Sequence, residues 1–136
     1  MELTAARDFL RTHHRSVLAT TRADGRPQMS PVVHAVPDDG SVIISSREPA
    51  YKVRNIRRDG RVSLMAMSDT FFGDWVQADG VAEIVSLPDA MELLVDYYRR
   101  VSGEHPDWDD YRRAMTNDRR CIIRMTIERA GPDRRG

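Results

Sequence analysis

The densest run of groups able to hold an anion is Ser45-Ser46-Arg47-Glu48-Pro49-Ala50-Tyr51-Lys52-Val53-Arg54-Asn55-Ile56-Arg57-Arg58. It carries the chain's single lysine, Lys52, beside four of the chain's twenty arginines. Two serines lead from the apolar run Val42-Ile43-Ile44 into a helix that reads as opened by Pro49. Hydroxyls, N–H groups at a helix start and a compact ammonium can then meet on one phosphate. The same run also fits an amphipathic helix with a solvated arginine face, the ordinary fate of a charge run. Arg47 and Tyr51 flank the turn and serve either reading.

Other reactive side chains offer less. His13, His14, His34 and His105 are spaced too irregularly for a metal set, and a single cysteine, Cys121, excludes an internal disulfide and a cysteine-based zinc site. Cys121 falls in an apolar strand, where it reads as an inert core thiol. No nucleophile stands beside a base, so a triad is not supported. Phe71 and Phe72, next to Gly73, read as an interface plug or the wall of a substrate pocket, since loop aromatics favour a buried use. Trp75 fits a core position or a site position equally.

The elements that position these residues follow from periodicity. Thr4 can cap a helix through residue 13, with Leu3, Ala6, Phe9 and Leu10 on one stripe. The period then changes to two: a strand over 16–22, a turn over 23–27, a returning strand over 28–36, a turn at Asp38-Asp39-Gly40 and a third strand over 41–46. A helix over 49–58 crosses to a strand over 61–67, and residues 75–85 form a longer one with a bulge or bend at Asp79-Gly80. Pro88 opens a helix that Gly103 ends, a short helix spans 108–115, and 119–128 is a sixth strand with Cys121, Ile123, Met125 and Ile127 on one face. Residues 130–136 read as a frayed tail. The fold class expected is mainly β (α+β): a single-domain, six-stranded antiparallel barrel with helices packed on its ends. A barrel of six strands is too narrow for a ligand in its lumen, so a ligand must lie outside, in a groove between barrels.

Bulk properties set the boundaries. At 136 residues there is room for one core, and no linker, repeat or low-complexity block divides the chain. Twenty-one acidic residues balance 21 basic ones, leaving no long-range pull on nucleic acid or an anionic membrane. No apolar run approaches the roughly 20 residues of a membrane span, and no apolar stretch follows Met1 as a signal peptide would require. A cytoplasmic protein is expected.

The ordered set of segments Ser16-Val17-Leu18-Ala19-Thr20, Asp24-Gly25-Arg26-Pro27-Gln28 with Ser30-Pro31-Val32, Ser45-Ser46, Lys52-Val53-Arg54-Asn55-Ile56-Arg57-Arg58-Asp59 and Trp75-Val76-Gln77-Ala78-Asp79-Gly80-Val81-Ala82 resembles the pyridoxamine 5′-phosphate oxidase-like split β-barrel superfamily. Ser102-Gly103-Glu104-His105 and Asp107-Trp108-Asp109-Asp110-Tyr111-Arg112 look typical of its branch that uses the deazaflavin coenzyme F420 in place of FMN. The resemblance runs from about residue 6 to 127.

That resemblance implies a homodimer with a cofactor site at each side of the subunit interface. Lys52 would hold the cofactor phosphate, with Ser45, Ser46, Arg54 and Asn55 as neighbours; Gln28, Met29, Ser30 and Pro31 would line the ring. Trp75 and Gln77 would come from the partner subunit, and Trp75 stands where FMN-using relatives usually carry glutamine, which disfavours FMN. Arg57, Arg58 and Arg61 either meet an acidic cofactor tail or stay solvated. The implied activity is reduction of an unsaturated small-molecule acceptor by hydride from the reduced deazaflavin, the protein supplying binding and orientation. The alternatives are an FMN-dependent oxidoreductase and a non-catalytic cofactor-binding protein of the same fold.

Overall fold

The structure is a computed structural model that describes residues 1–132. Its elements, in order, are α1 (Leu3–Thr12), β1 (Arg15–Thr21), β2 (Pro27–Ala35), β3 (Val42–Arg47), α2 (Tyr51–Arg58), β4 (Arg61–Met67), β5 (Trp75–Val85), α3 (Met91–Ser102), α4 (Trp108–Asn117) and β6 (Arg120–Gly131). The strands close in the order β1-β2-β3-β6-β5-β4 with every neighbouring pair antiparallel. Closure leaves no sheet edge unpaired, which removes the usual template for edge-to-edge association.

Alternation along the strands fills the lumen. Leu18, Ile44, Leu64, Ala78, Ile123 and Met125 are at most 1% exposed and form one cluster, with Leu10 of α1 and Val53 and Ile56 of α2 joining it. The lumen is therefore packed, as its strand number requires. A second cluster lies outside the barrel: Ala35, Ile43 and Ile122 turn outward and are covered by Leu94, Val95 and Tyr111 of α3 and α4. This is why β6 carries the unbroken run Cys121-Ile122-Ile123, buried on both faces. The outward faces of β1, β4, β5 and the first half of β2 carry no such helical cover.

Local geometry departs from the sequence expectation at several ends. The helix α1 begins at Leu3 with Glu2 at its N-cap and no side-chain cap, so Thr4 lies inside the first turn instead of capping it. Pro49 belongs to a turn closed by the Ala50 N–H on the Arg47 carbonyl (3.0 Å), and α2 starts after it. Pro88 likewise sits in a turn ahead of α3, where the Ala90 N–H meets the Ser86 carbonyl at 2.9 Å. In both places proline's fixed φ serves a turn that feeds the helix. Helix α4 runs two residues past 115, its start capped by Asp107, whose carboxylate accepts from the Asp110 N–H. The tail expectation fails over 130–131: Ala130 and Gly131 continue β6, paired with Ala78 and Gln77. Its last part, 133–136, lies outside the described residues. The bend expected at Asp79-Gly80 is a register shift in the β5–β6 ladder.

A buried histidine joins α1 to the barrel. The His34 ring is 0% exposed. Its Nε2 lies 2.9 Å from the Leu10 carbonyl and its Nδ1 2.7 Å from Ser16 Oγ. With Nε2 protonated to donate to the carbonyl, Nδ1 accepts from the serine hydroxyl, and both nitrogens are satisfied. Burial pushes this imidazole down to about 4.

Candidate functional site

Helix α2 buries Val53 and Ile56 in the core and turns its basic side chains outward. Those cations differ in what already holds them. Arg57 donates to Glu48 Oε2 at 2.7 Å, and Ser86 Oγ donates to the other oxygen of that carboxylate at 2.7 Å. Arg58 donates through both terminal nitrogens to Asn55 Oδ1, at 3.2 and 2.8 Å. Arg61 grips Asp59 with two parallel bonds, at 3.0 and 2.8 Å, and that contact brings the Asp59 carboxyl down to about 2. Lys52 and Arg54 have no hydrogen-bond or ion-pair partner among the described residues.

Two grooves flank this region. The first, about 440 Å³, lies between α2 and the β1–β2 hairpin and is lined by Arg22, Gln28, Tyr51, Arg54, Asn55 and Arg58. Under it, Asn55 is 5% exposed and Thr20 2%. The second groove, about 760 Å³, crosses the uncovered face of the sheet past Ala19, Arg61, Ser63, Gln77, Asp79 and Arg129. Trp75 opens beside it, in a smaller recess shared with Gln77, Asp79 and Arg129. Asp79 organises that wall: its Oδ1 accepts from Ser63 (2.7 Å) and Gln77 (3.1 Å), its Oδ2 from Arg129 (2.7 Å). Burial opposes ionisation of this carboxyl, yet the three donors outweigh it and keep it below its ordinary value.

The candidate residues thus separate into groups. Gln28, Arg54, Asn55 and Arg58 share the first groove, and Trp75 and Gln77 share the recess on β5. Alternation splits the others. Ser45 and Ser46 leave opposite faces of β3, Ser46 on the lumen row with Val42 and Ile44, so their hydroxyls are not on a common side. On β2, Met29 and Pro31 point outward, whereas Gln28 and Ser30 fall on the inward row with Val32. Ser30 Oγ is buried with no hydrogen-bond partner among the described residues. Lys52, Ser45, Ser46, Met29, Ser30 and Pro31 line neither groove.

Several expectations about aromatic groups resolve. Trp75 is 39% exposed and is no core residue. Phe71 and Phe72 are 78% and 94% exposed in the single chain and meet each other edge to face; they line neither groove. His105 packs among Tyr98, Trp108 and Tyr111 at tilted and edge-to-face angles. Cys121 is buried, and desolvation pushes its thiol up to about 11, leaving it inert at neutral pH. The residues that sequence reading did not single out are Thr20, Arg22, Asp79 and Arg129. Their signal was present as polar side chains inside strands or a hairpin, with nothing in the spacing to say which would meet.

The sequence model described as pyridoxamine 5′-phosphate oxidase matches residues 3–132. Among solved structures, a conserved hypothetical protein from Mycobacterium tuberculosis superposes with a TM-score of 0.78 at 29% identity, over 96% of this chain and 82% of the other. A protein of unknown function from Agrobacterium tumefaciens gives 0.72 at 20% identity, over 95% of this chain and 55% of the other. A structure described as an F420 reductase gives 0.70 at 21% identity, over 91% and 94%. With a closed six-stranded barrel, a packed lumen and a family match over nearly its whole length, the chain belongs to the pyridoxamine 5′-phosphate oxidase family.

Proposed function

We propose that this chain binds a phosphate-bearing, flavin-type cofactor beside α2, with coenzyme F420 as that cofactor, and acts as a reductase of an unsaturated small-molecule acceptor. The observation that carries the reading is the difference between the cations of α2. Arg57, Arg58 and Arg61 are engaged within the chain, whereas Lys52 and Arg54 have no hydrogen-bond or ion-pair partner among the described residues. A guanidinium on the wall of the first groove and an ammonium on the same helix, neither with a partner among the described residues, suit an oxyanion.

Residue types support F420 over FMN. An exposed Trp75 stands where the resemblance places glutamine in FMN-using relatives, and one of the structurally similar proteins is an F420 reductase. The uncovered sheet face supports a homodimer in which each site is completed by the partner. Met29 (64% exposed) and Trp75 (39%) lie on it, and Pro31 and Met65 flank Val17 there. Contiguous apolar area of this kind is a common mark of a protein interface.

When bound, the deazaflavin supplies the hydride. The protein's part is to hold and shield: Lys52 and Arg54 bind the phosphate end, the outward residues of β2 and β5 face the ring, and pairing of two barrels excludes water from the space between them.

Titration with F420 and FMN in parallel tests the reading. Saturable binding of one F420 per chain, tighter than FMN and lost in Lys52→Ala, is expected; Trp75→Gln should move the preference toward FMN. Absence of binding to either cofactor, or a clear preference of the native protein for FMN, overturns it. An acceptor screen of quinones, tetrapyrroles and enones with the reduced cofactor then tests the activity. Sedimentation should show a dimer that Met29→Glu disperses.

A further inference from the structure

Beneath the smaller groove, four polar side chains form a chain of hydrogen bonds that ends at the groove wall. Arg58 donates to Asn55 Oδ1 (2.8 Å), Asn55 Nδ2 donates to Thr20 Oγ1 (3.1 Å), and Thr20 Oγ1 donates to Gln28 Oε1 (3.2 Å). The direction of this relay is dictated by chemistry at its first member. A guanidinium can only donate, so Asn55 must turn its oxygen to Arg58 and its NH2 to Thr20. Thr20 then accepts from Asn55 and has one proton to place. At 2% exposure its remaining partner is Gln28, which must offer its oxygen. The opposite amide orientation would strand a buried hydroxyl proton, at a cost of about 1–3 kcal/mol.

We infer that Thr20 is a positioning residue: its buried hydroxyl fixes Gln28 with the amide NH2 toward the groove and so makes the groove a receptor for an oxyanion. This rests on the reading that the α2 face binds a ligand, and it specifies the polarity of that ligand. Asn55 Oδ1 is taken by two bonds from Arg58, and Gln28 Oε1 is turned inward to Thr20. The side-chain polar groups left on the wall are the guanidiniums of Arg22, Arg54 and Arg58, the Gln28 amide and the Tyr51 hydroxyl. All donate, and of these only Tyr51 can also accept. One Gln28 N–H leans on the Met29 carbonyl at 3.4 Å, a long contact that leaves the second proton for a ligand. A phosphate and a carboxylate both satisfy such a wall; a cation or a neutral donor does not.

The side-chain amide resonances of Gln28 test this without any cofactor. In the native protein they should exchange with solvent and shift on titration with inorganic phosphate or with glutarate, the two probes separating a phosphate from a carboxylate source. Thr20→Val should weaken the better probe about tenfold and return the Gln28 signals to those of a freely rotating amide, with Thr20→Ser restoring both. Asn55→Asp keeps a charged partner for Arg58 but takes the Thr20 proton for itself. In that variant Gln28 should turn its NH2 inward and its protons should become protected, a readout available even where Thr20→Val fails to fold. Protected Gln28 protons in the native protein, probe binding unchanged in Thr20→Val, or no response to either oxyanion overturns the inference. Failure of F420 to bind, with these responses intact, overturns only the choice of cofactor.

Discussion

Arg57 and Glu48 form an ion pair of 2.7 Å that ties α2 to the turn before it, and Ser86 closes the arrangement by donating to the second carboxylate oxygen. Glu48 is the more buried partner, its side chain 19% exposed, and its own N–H bonds the Arg119 carbonyl at 3.0 Å. A basic residue of the run read as anion-binding is thus committed to holding the helix in place.

Arg57→Ala should therefore cost about 1 kcal/mol of stability and leave anion affinity within about twofold, since it removes a partner of Glu48 and no groove residue. Lys52→Ala should do the reverse: the side chain is half-buried and holds no partner among the described residues, so its loss should cost under about 1 kcal/mol in stability, while cofactor affinity falls at least about tenfold. Thermal melts and binding isotherms of the two variants, run together, check the contrast. Equal losses of affinity in both would mean that Arg57 leaves Glu48 when ligand binds.

Gly80 stands at the β5 register shift, and a Cβ built on it would run into the Thr126 carbonyl, a backbone atom of the neighbouring strand. Gly80→Ala should cost about 3 kcal/mol or more, at the upper end of overpacking changes, because the ladder itself must move. Gly25 makes an instructive pair. Its φ is +89° but nothing lies within 4 Å of its would-be side chain, so Gly25→Ala should cost only about 1 kcal/mol of backbone strain. Chemical denaturation of both variants measures the difference, and a Gly80→Ala as mild as Gly25→Ala would refute the steric account.

The barrel was legible because its strands announce themselves by alternation and its turns by Asp-Gly and Gly-Arg-Pro sequences. β4 and β5 have the boundaries their patterns predict, over 61–67 and 75–85. Positions where two rules compete were not. Proline at 49 and 88 marks a helix start and a turn equally well, and only the tertiary path decides. The serine pair at 45–46 reads as two converging hydroxyls in one dimension; the pleat sends them to opposite faces. Thr20 was hidden most completely, because a β-branched polar residue on a strand looks like ordinary strand propensity until Asn55, 35 positions away, arrives at 3.1 Å.

His34 gives the protein a pH dependence with a definite sign. Its ordinary value is 6.5, and in the fold it is lowered to about 4, first by burial and then by the like charges of His14 and His13, against the opposing bond to the Leu10 carbonyl. Between those two values the unfolded chain takes up a proton that the folded chain refuses, so unfolding is favoured as pH falls. Stability contributed by the neutral ring is complete above about 6.5 and is lost down to about 4, a total on the order of 3 kcal/mol. The carboxyls of Asp39, Glu48, Asp59 and Asp79 are all held below their ordinary values of 3.8–4.5, so their losses belong to more acidic solutions. Melting temperatures between pH 6.5 and 5 therefore isolate the histidine. His34→Gln keeps a donor for the Leu10 carbonyl and cannot take a proton; it should be less stable at pH 7 yet nearly flat across this window. An unchanged slope in that variant would assign the pH dependence to other groups and remove His34 as the link between acid and the docking of α1.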